Sequence, residues 1–420
     1  MDLEYKKWLP LIVLLILILS LVAYLLFFRS GMGEERFASN PVQGCVVMAD
    51  RGHYDDSVDI VFLSENYNDM SKFISDTISF RESFLNVVPY GGYSERFNFF
   101  RLESFENLGC EYDGEYEGAV VCNPSDVKKA ALGCPADYYI VLVDINGVKN
   151  FFDHLRSSAW RGIASLNSAD DPLVFAHEFA HLFAGLHDEY TWNGGKIIGA
   201  SPNCDSEYNS CPMFEGFDDA GCYVGCVNNE HARSVDVGIM SDYWKSNSYG
   251  LFNEYIIEEV LLKNSLSNFE IGTVSMSPSL VPLGEPEEIL LVEYSCKGDN
   301  CIISSVFESE GYSSDYIDTL SLNPAMSVEL SNGDSYSVDY PNILYIEGHN
   351  SDGTMIADHR KLNGLTDSLI VKNPMENVEI KIKNAAGMIL DTYDYIYGAD
   401  SSPSYVGGFG SKFVKVREVI

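Results

Sequence analysis

The side chains best suited to chemistry lie in residues 177–181, which read His-Glu-Phe-Ala-His. On a helix, residues four positions apart lie on the same face, so His177 and His181 can bind one metal ion. A catalytic Zn²⁺ takes three protein ligands and keeps a fourth position for water. Glu178 would then lie beside that water and could accept its proton as the metal lowers the water's pKa. This pattern on a helix is a signature of zinc metallopeptidases.

The flanking residues predict that the segment is helical. Asp171 is a suitable N-cap, and Pro172 fits the first helical position. Residues 173–183 are apolar on nearly every side, which is expected of a buried helix. Gly185 is placed to end the helix in a left-handed conformation. A core helix with two hydrogen-bonded histidines is the alternative, but the helix context and the clustering of histidines favour a metal site.

The spacing leaves the third ligand open. Metzincins read H-E-x-x-H-x-x-G-x-x-H, in which a glycine turns the chain back toward the metal. His187 occupies the final position if the count begins at the first histidine. The glycine is one residue late, however, and a count from Gly185 arrives at Asp188 instead. Imidazole and carboxylate both suit Zn²⁺, and Glu189 is a third and less favoured alternative.

A second signal follows at residues 237–243, which read Val-Gly-Ile-Met-Ser-Asp-Tyr. A methionine in a tight turn, about fifty residues after the zinc helix, is typical of the metzincin Met-turn. We expect Met240 to form an apolar floor under the metal and Tyr243 to reach the oxyanion of the substrate. Tyr243 follows Met240 by three residues rather than two, which weighs against that second role. An Ile-Met pair by itself is more often core packing.

Four stretches of the chain together resemble the IgA metallopeptidase family (family sixty-four) of the zincin clan. They are residues 58–63 followed by Tyr67, residues 96–101, residues 177–190 and residues 233–253. The third stretch carries the most specific match, because it ends in the G-L-x-D-E-Y pattern of the family's extended zinc motif. The resemblance covers about residues 55–265, a little over half of the chain.

The resemblance implies a secreted zinc endopeptidase with His177 and His181 as ligands and Glu178 as general base. Position 187 is commonly not histidine in that family, so the resemblance favours Asp188 as the third ligand over His187. It implies an α+β fold: a metzincin-like catalytic domain with a mixed β-sheet and a zinc helix. In the zincin arrangement the strand before the zinc helix is a sheet edge that pairs with extended substrate. We assign residues 162–166 to that edge, with an ordinary edge strand as the alternative.

The beginning of the chain predicts a membrane anchor. Residues 8–28 form an uncharged apolar run of 21 residues. A helix of that length spans about 30 Å, the thickness of a bilayer core. The apolar region of a cleaved secretory signal is usually only about 7–15 residues long. We therefore predict a retained signal anchor that follows a cytoplasmic stretch at 1–7, with secretion after signal cleavage as the alternative.

Cysteine usage predicts that the body of the protein lies outside the cell. All ten cysteines follow the apolar run, and an even number on one side of it indicates disulfides in an oxidising compartment. Four of them lie between the zinc helix and the Met-turn and could instead bind a second zinc ion. Their spacing lacks the paired C-x₂-C of such sites, so disulfides are favoured. The four are Cys204, Cys211, Cys222 and Cys226.

The net charge of −35, from 62 acidic and 27 basic residues, argues against nucleic acid as a partner. A protein that binds nucleic acid needs a basic patch to neutralise phosphates, and the sequence offers none. The acidic surface favours solubility and would repel an anionic surface. The charge does not identify a substrate.

Hydrophobic periodicity divides the chain into segments. A tether at 29–44 precedes a zinc metallopeptidase domain at 45–265, within which we expect strands at 58–63, 96–102 and 138–144. From residue 268 the pattern changes to short alternating runs separated by turns, which is typical of a β-sandwich. We assign that sandwich to 268–400 and a C-terminal tail to 401–420.

Three functions fit these observations. The first is a cell-surface zinc endopeptidase that acts on protein or peptide substrates. The second is a non-catalytic adhesion or scaffold protein with a structural metal site, and an intact Glu178 argues against it. The third is zinc-dependent hydrolysis of a non-peptide bond such as a cell-wall cross-link. The sequence predicts no oligomeric state.

Overall fold

The structure is a computed structural model. It describes residues 44–49, 57–111, 118–145, 155–192, 195–197, 201–263, 286–297, 300–312, 326–333, 335–338, 344–349, 355–360, 366–383, 389–395, 397 and 414–418. Within these ranges no helix is both long and apolar enough to cross a bilayer. The anchor predicted at 8–28 and all but the last residue of the tether lie outside the described residues.

The described residues form a mixed α+β structure with several sheets and few helices, which agrees with the predicted class. The α-helices are α1 (Met70–Leu85), α2 (Pro124–Ala131), α3 (Val174–Ala184), α4 (Ile239–Asp242) and α5 (Leu251–Lys263). Short 3₁₀ helices span Tyr90–Arg96 and Pro212–Phe214. The strands are β1 (Cys45–Ala49), β2 (Val58–Glu65), β3 (Phe97–Leu102), β4 (Tyr138–Val143), β5 (Ser158–Trp160), β6 (Ile163–Asn167), β7 (Tyr223–Cys226), β8 (Asn228–Arg233), β9 (Glu287–Lys297), β10 (Asn300–Gly311), β11 (Met326–Leu330), β12 (Ser335–Val338), β13 (Leu344–His349), β14 (Met355–Arg360), β15 (Thr366–Lys372), β16 (Val378–Lys383), β17 (Ile389–Tyr395) and β18 (Val414–Glu418).

One large sheet carries the candidate site. Its strands follow the order β1-β3-β2-β4-β6-β5-β13-β14. β3, β2, β4 and β6 run parallel, whereas β1 and β5 pair antiparallel with their neighbours. Successive side chains of a strand point to opposite faces. Ile60 and Phe62 of β2 therefore enter the apolar core that contains α3, while Val61 and Leu63 enter a second core on the other face. The three strands expected in this region are confirmed.

The substrate-pairing edge that we assigned to residues 162–166 is wrong. β6 lies inside the sheet, between parallel β4 and antiparallel β5. Arg161 and Gly162 both take positive φ, at 49° and 78°, and turn the chain back on itself between β5 and β6. β5 is covered in turn, because β13 pairs with Ser158 and Ala159. The hairpin turn at 161–162 is the reason that the strand before the zinc helix is not the edge.

Helix α3 is buried on every side, as its composition predicts. Phe175 stacks on Phe84 of α1, whereas Phe179 meets Phe84 edge to face and also contacts Tyr138 of β4. The helix begins at Val174 rather than near Asp171. Asp171 instead caps the turn that precedes the helix, where its carboxylate accepts the Leu173 N–H at 2.9 Å.

The C-terminal strands form two antiparallel sheets of four strands, in the orders β15-β9-β10-β18 and β12-β11-β16-β17. Val292 and Val306 of the first sheet share one apolar cluster with Ile380 and Tyr395 of the second. The two sheets thus share one apolar core, and part of the predicted tail joins the first sheet as β18. The hairpin β13–β14 departs from the prediction, because it pairs with the large sheet instead.

Disulfides connect the cysteines as the sequence led us to expect. The bonded pairs are Cys45–Cys134, Cys110–Cys122, Cys204–Cys226 and Cys211–Cys222. The alternative of a second zinc site on the last four cysteines is wrong, because their sulfur atoms are bonded to one another. Cys301 is disulfide-bonded as well.

Candidate metal centre

Three side chains of the kinds that bind metal ions meet at the end of α3. His177 and His181 lie one helical turn apart, and Gly185 follows in the left-handed conformation with φ 63° and ψ 23°. Because glycine adopts this conformation without a steric cost, the chain reverses there and returns toward the helix. Asp188 Oδ1 then lies 3.1 Å from His177 Nε2 and 3.3 Å from His181 Nε2. The prediction that Gly185 ends the helix is confirmed.

Backbone carbonyl groups orient both imidazoles. His177 Nδ1 lies 3.0 Å from the carbonyl oxygen of Ile239, and His181 Nδ1 lies 2.6 Å from that of Leu186. A carbonyl oxygen can only accept a hydrogen bond, so each Nδ1 carries the hydrogen and donates it. Each Nε2 is then left with a lone pair that points toward Asp188. Outer contacts of this kind fix the tautomer and orientation of metal-binding histidines.

The three converging atoms fit a bound cation. The two Nε2 atoms are 3.0 Å apart, and all three ligand atoms lie within 4.8 Å of one another. A tetrahedral Zn²⁺ with N and O ligands separates them by roughly 3.3–3.5 Å, close to these distances. All three side chains are buried. Burial also lowers the pKa of His181, although Asp188 opposes that shift, and the neutral imidazole is the form that binds metal.

Asp188 rather than His187 is the residue that the turn delivers to the two histidines. The His187 backbone is held by Asn203, whose Oδ1 accepts the His187 N–H at 2.8 Å and whose Nδ2 donates to the His187 carbonyl at 2.8 Å. The His187 side chain is buried outside the three-residue cluster. The late glycine accounts for this outcome, since it shifts the returning chain by one residue.

Glu189 points away from the cluster into a network of its own. Its Oε1 accepts hydrogen bonds from Asn203 at 3.3 Å and from Asn253 of α5 at 2.8 Å. Burial raises the pKa of Glu189 to about 7. Among the described residues, the cluster that could hold a metal contains Asp188 and not Glu189.

Glu178 follows His177 directly on α3, and its side chain is fully buried. The helix therefore places a carboxylate next to the first histidine in a region shielded from bulk water. A carboxylate in such surroundings interacts more strongly with nearby charge than it would in water. It has the position along the chain that the sequence motif requires of a general base.

Residues 239–243 lie against the histidines. Met240 is buried in the same core as α3, and its carbonyl oxygen accepts the Glu189 N–H at 2.7 Å. The tight turn that we predicted around Met240 is the short helix α4. The Tyr243 ring centroid lies 5.6 Å from that of His177. Its hydroxyl group donates to both carboxylate oxygens of Asp170, at 3.2 and 3.1 Å.

Several residues that shape the site escaped the sequence motifs. Asp170 binds Tyr243, Asn203 holds the backbone of His187, and Asn253 binds Glu189. Each lies at least 16 residues along the chain from the residue that it contacts, at no spacing that a helix or strand repeat predicts. The one sequence signal available was the presence of an aspartate just before α3.

Asp170 makes the free energy of unfolding depend on pH. Burial raises its pKa to about 6, and the hydrogen bond from Tyr243 opposes that shift. The folded-state pKa is above the unfolded one, so ionising Asp170 costs free energy. The cost is absent below about pH 4 and complete above about pH 6.

We expect the unfolding free energy of the wild-type protein to fall by roughly 2–3 kcal/mol more between pH 4 and pH 7 than that of Asp170→Asn. Chemical denaturation at the two pH values measures this difference. An equal pH dependence in both proteins would contradict the assignment.

The comparisons with known proteins give no family. A scan against protein-family models finds no match, and a search of curated proteins finds none either. Function is therefore inferred from the chemistry of the site and from the sequence motifs.

Proposed function

We propose that this protein is a zinc-dependent endopeptidase that acts outside the cell. The observation that carries the proposal is the meeting of His177, His181 and Asp188, with both imidazoles oriented by backbone carbonyl groups. Two imidazoles and one carboxylate suit a catalytic Zn²⁺, which needs three protein ligands and an open position. Glu178 adds the acid–base group that a structural metal site does not require.

The sheet supports a metzincin-like catalytic domain. Four parallel strands, β3, β2, β4 and β6, are flanked by antiparallel β5, and α3 follows β6 directly. The chain thus enters the metal-bearing helix from the sheet and leaves it through a glycine turn that returns a ligand. The segment around Met240 lies against the site: the Ile239 carbonyl group contacts His177, and the Met240 carbonyl group accepts the Glu189 N–H.

The roles of the residues follow from their chemistry. A bound Zn²⁺ would lower the pKa of water and polarise the carbonyl group of the substrate. His177, His181 and Asp188 would hold the ion, and the carbonyl groups of Ile239 and Leu186 keep the imidazoles in the tautomer that exposes Nε2. Glu178 accepts a proton from the attacking water and returns it to the leaving nitrogen. We assign Tyr243 the role of donor to the substrate oxyanion, which requires its hydroxyl group to leave Asp170.

The disulfides support the proposed location. Four pairs are bonded in the described part of the chain, and such bonds persist in oxidising compartments. Together with the apolar run at 8–28, they favour a single-pass membrane protein whose catalytic domain is extracellular. Secretion after signal cleavage is the alternative. Mass spectrometry of the N-terminal peptide of the mature protein distinguishes the two, because cleavage removes the apolar run.

A non-catalytic adhesion or scaffold protein is the second candidate function. It would use the C-terminal sandwich to bind a partner and the metal only for structure. Incubation of the purified protein with a mixed peptide library distinguishes the candidates. Metal-dependent cleavage supports the endopeptidase, whereas bound zinc without cleavage of any peptide supports the second candidate or a non-peptide substrate.

Metal content tests the ligand set directly. We expect the wild-type protein to bind one Zn²⁺ and Asp188→Ala to lose it, because two imidazoles alone leave the ion under-coordinated. His187→Ala should keep its metal, since His187 lies outside the cluster. Elemental analysis of the dialysed proteins measures the stoichiometry. Loss of zinc from His187→Ala with retention in Asp188→Ala would reverse the assignment.

A further inference from the structure

The loop that supplies Asp188 is held from two sides by hydrogen bonds to its backbone groups. We call residues 186–189 the ligand loop. Asn203 holds the loop on one side through the N–H and carbonyl groups of His187. On the other side, the Asp188 carbonyl oxygen accepts the Val227 N–H at 3.0 Å. The position of the third ligand therefore depends on two residues that lie 15 and 39 positions after Asp188 in the chain.

One disulfide joins the immediate neighbours of both anchors. Cys204 follows Asn203, Cys226 precedes Val227, and the two cysteines are bonded to each other. Both are buried. Cys226 Sγ also lies 3.6 Å from the Asp188 carbonyl oxygen. The bond thus fixes the separation of the two anchors directly against the ligand loop.

The second disulfide of this segment provides an internal comparison. Cys211–Cys222 lies within the loop that Cys204–Cys226 closes. Cys211 is buried, but Cys222 is exposed, and the Cys222 sulfur atom lies 3.3 Å from the Tyr208 carbonyl oxygen, within the same segment. The two bonds therefore share a segment but differ in their relation to the metal site.

We propose that the Cys204–Cys226 disulfide is a positioning element that sets the metal affinity of the site. Its role is to hold Asn203 and Val227 at the spacing that presents Asp188 to the two histidines. A ligand held in its binding position before the metal arrives binds more tightly, because less conformational freedom is lost on binding. Contacts outside the ligands typically change metal affinity by about 10–100-fold. The inference rests on the metal site of the proposed function and not on peptide hydrolysis.

Two double variants test the proposal. Zn²⁺ affinity is measured by competition with a chromophoric chelator for the wild-type protein, for Cys204→Ala with Cys226→Ala, and for Cys211→Ala with Cys222→Ala. We expect the first variant to bind Zn²⁺ about 10–100-fold more weakly. The second variant should remain within about threefold of the wild-type protein, well below the loss expected for the first. Equal affinity of all three proteins, or an equal loss in both variants, would overturn the proposal.

A pair of asparagine variants keeps the test independent of disulfide removal. Asn203→Ala removes one anchor directly and should weaken Zn²⁺ binding in the same direction. Asn377→Ala is the control, because the Asn377 side chain accepts the Tyr397 N–H at 2.9 Å among the C-terminal strands and not in the ligand loop. Circular dichroism establishes that each variant is folded. A folded Asn203→Ala protein with wild-type affinity would also count against the proposal.

Failure of this inference differs from failure of the proposed function. If the wild-type protein binds no zinc, the metal site itself is wrong. If it binds zinc without cleaving peptides, the endopeptidase is wrong, but the affinities of the variants still test the role of the disulfide. If the wild-type protein binds zinc and cleaves peptides, but the disulfide variants bind Zn²⁺ with the same affinity as the wild-type protein, the proposed function stands and this inference is wrong.

Discussion

Replacement of Glu178 by Gln should abolish peptide hydrolysis while the protein keeps its zinc. Gln preserves the shape of the side chain but cannot accept a proton from water, and general acid–base groups typically contribute about 10²–10⁴-fold to rate. We therefore expect kcat/KM on a cleaved library peptide to fall by at least about 100-fold. Glu178 is not among the three metal-ligating residues, so the metal content should remain stoichiometric.

The matched control is Glu82→Gln, which makes the same chemical change at an exposed position on α1. It should retain full activity. Hydrolysis at the wild-type rate by Glu178→Gln, with one zinc bound, would show that another group accepts the proton. Loss of zinc from Glu178→Gln would instead make that residue part of the metal-binding set.

Asp367→Asn should destabilise the fold by about 3–5 kcal/mol, the range observed when one partner of a buried ion pair is removed. Asp367 is fully buried and lies 2.7 Å from Lys128 Nζ of α2 and 2.7 Å from Arg161 Nη1. Tyr294 donates a further hydrogen bond to it at 2.8 Å. Without the carboxylate charge, two buried cations lack their compensating anion.

Chemical denaturation at neutral pH measures this loss of stability. Asp236→Asn is the control, because Asp236 pairs with Arg233 on the surface, where ion pairs contribute little. The two cations hold the pKa of Asp367 below its ordinary value. The contribution is therefore present above the unfolded carboxyl pKa and is lost only as the pH falls toward the folded one. A difference between wild type and Asp367→Asn that vanishes already near neutral pH would contradict this account.

Much of the site could be predicted because it is encoded locally. The spacing of His177 and His181 follows from the helical repeat, and Gly185 takes the left-handed conformation that its position indicates. The late glycine even pointed to Asp188, since the turn rather than the distance along the chain determines which residue returns. The parallel strands could be predicted from their apolar runs.

Other features depend on contacts between distant segments. The Asn203 side chain forms hydrogen bonds with the backbone of His187 as a neighbouring strand would, and no sequence motif around Asn203 predicts this contact. The covering of β5 by β13 requires a hairpin from the C-terminal half, whose alternation suits any sheet equally well. Binary patterns predict which face of a strand is buried but not which strand is its neighbour.

The shared sheet has a consequence for how the chain must mature. The strands β13 and β14 come from the second half of the sequence but complete the sheet that the first half forms. Lys128 likewise pairs with Asp367, which lies 239 residues later in the chain. Contacts of such long sequence separation form late and slow folding. An emerging chain that ends near residue 265 would leave the main-chain groups of β5 exposed and would leave Lys128 and Arg161 without their anion. Such an intermediate exposes an unpaired strand edge, so expression of the chain up to residue 265 alone should yield aggregates.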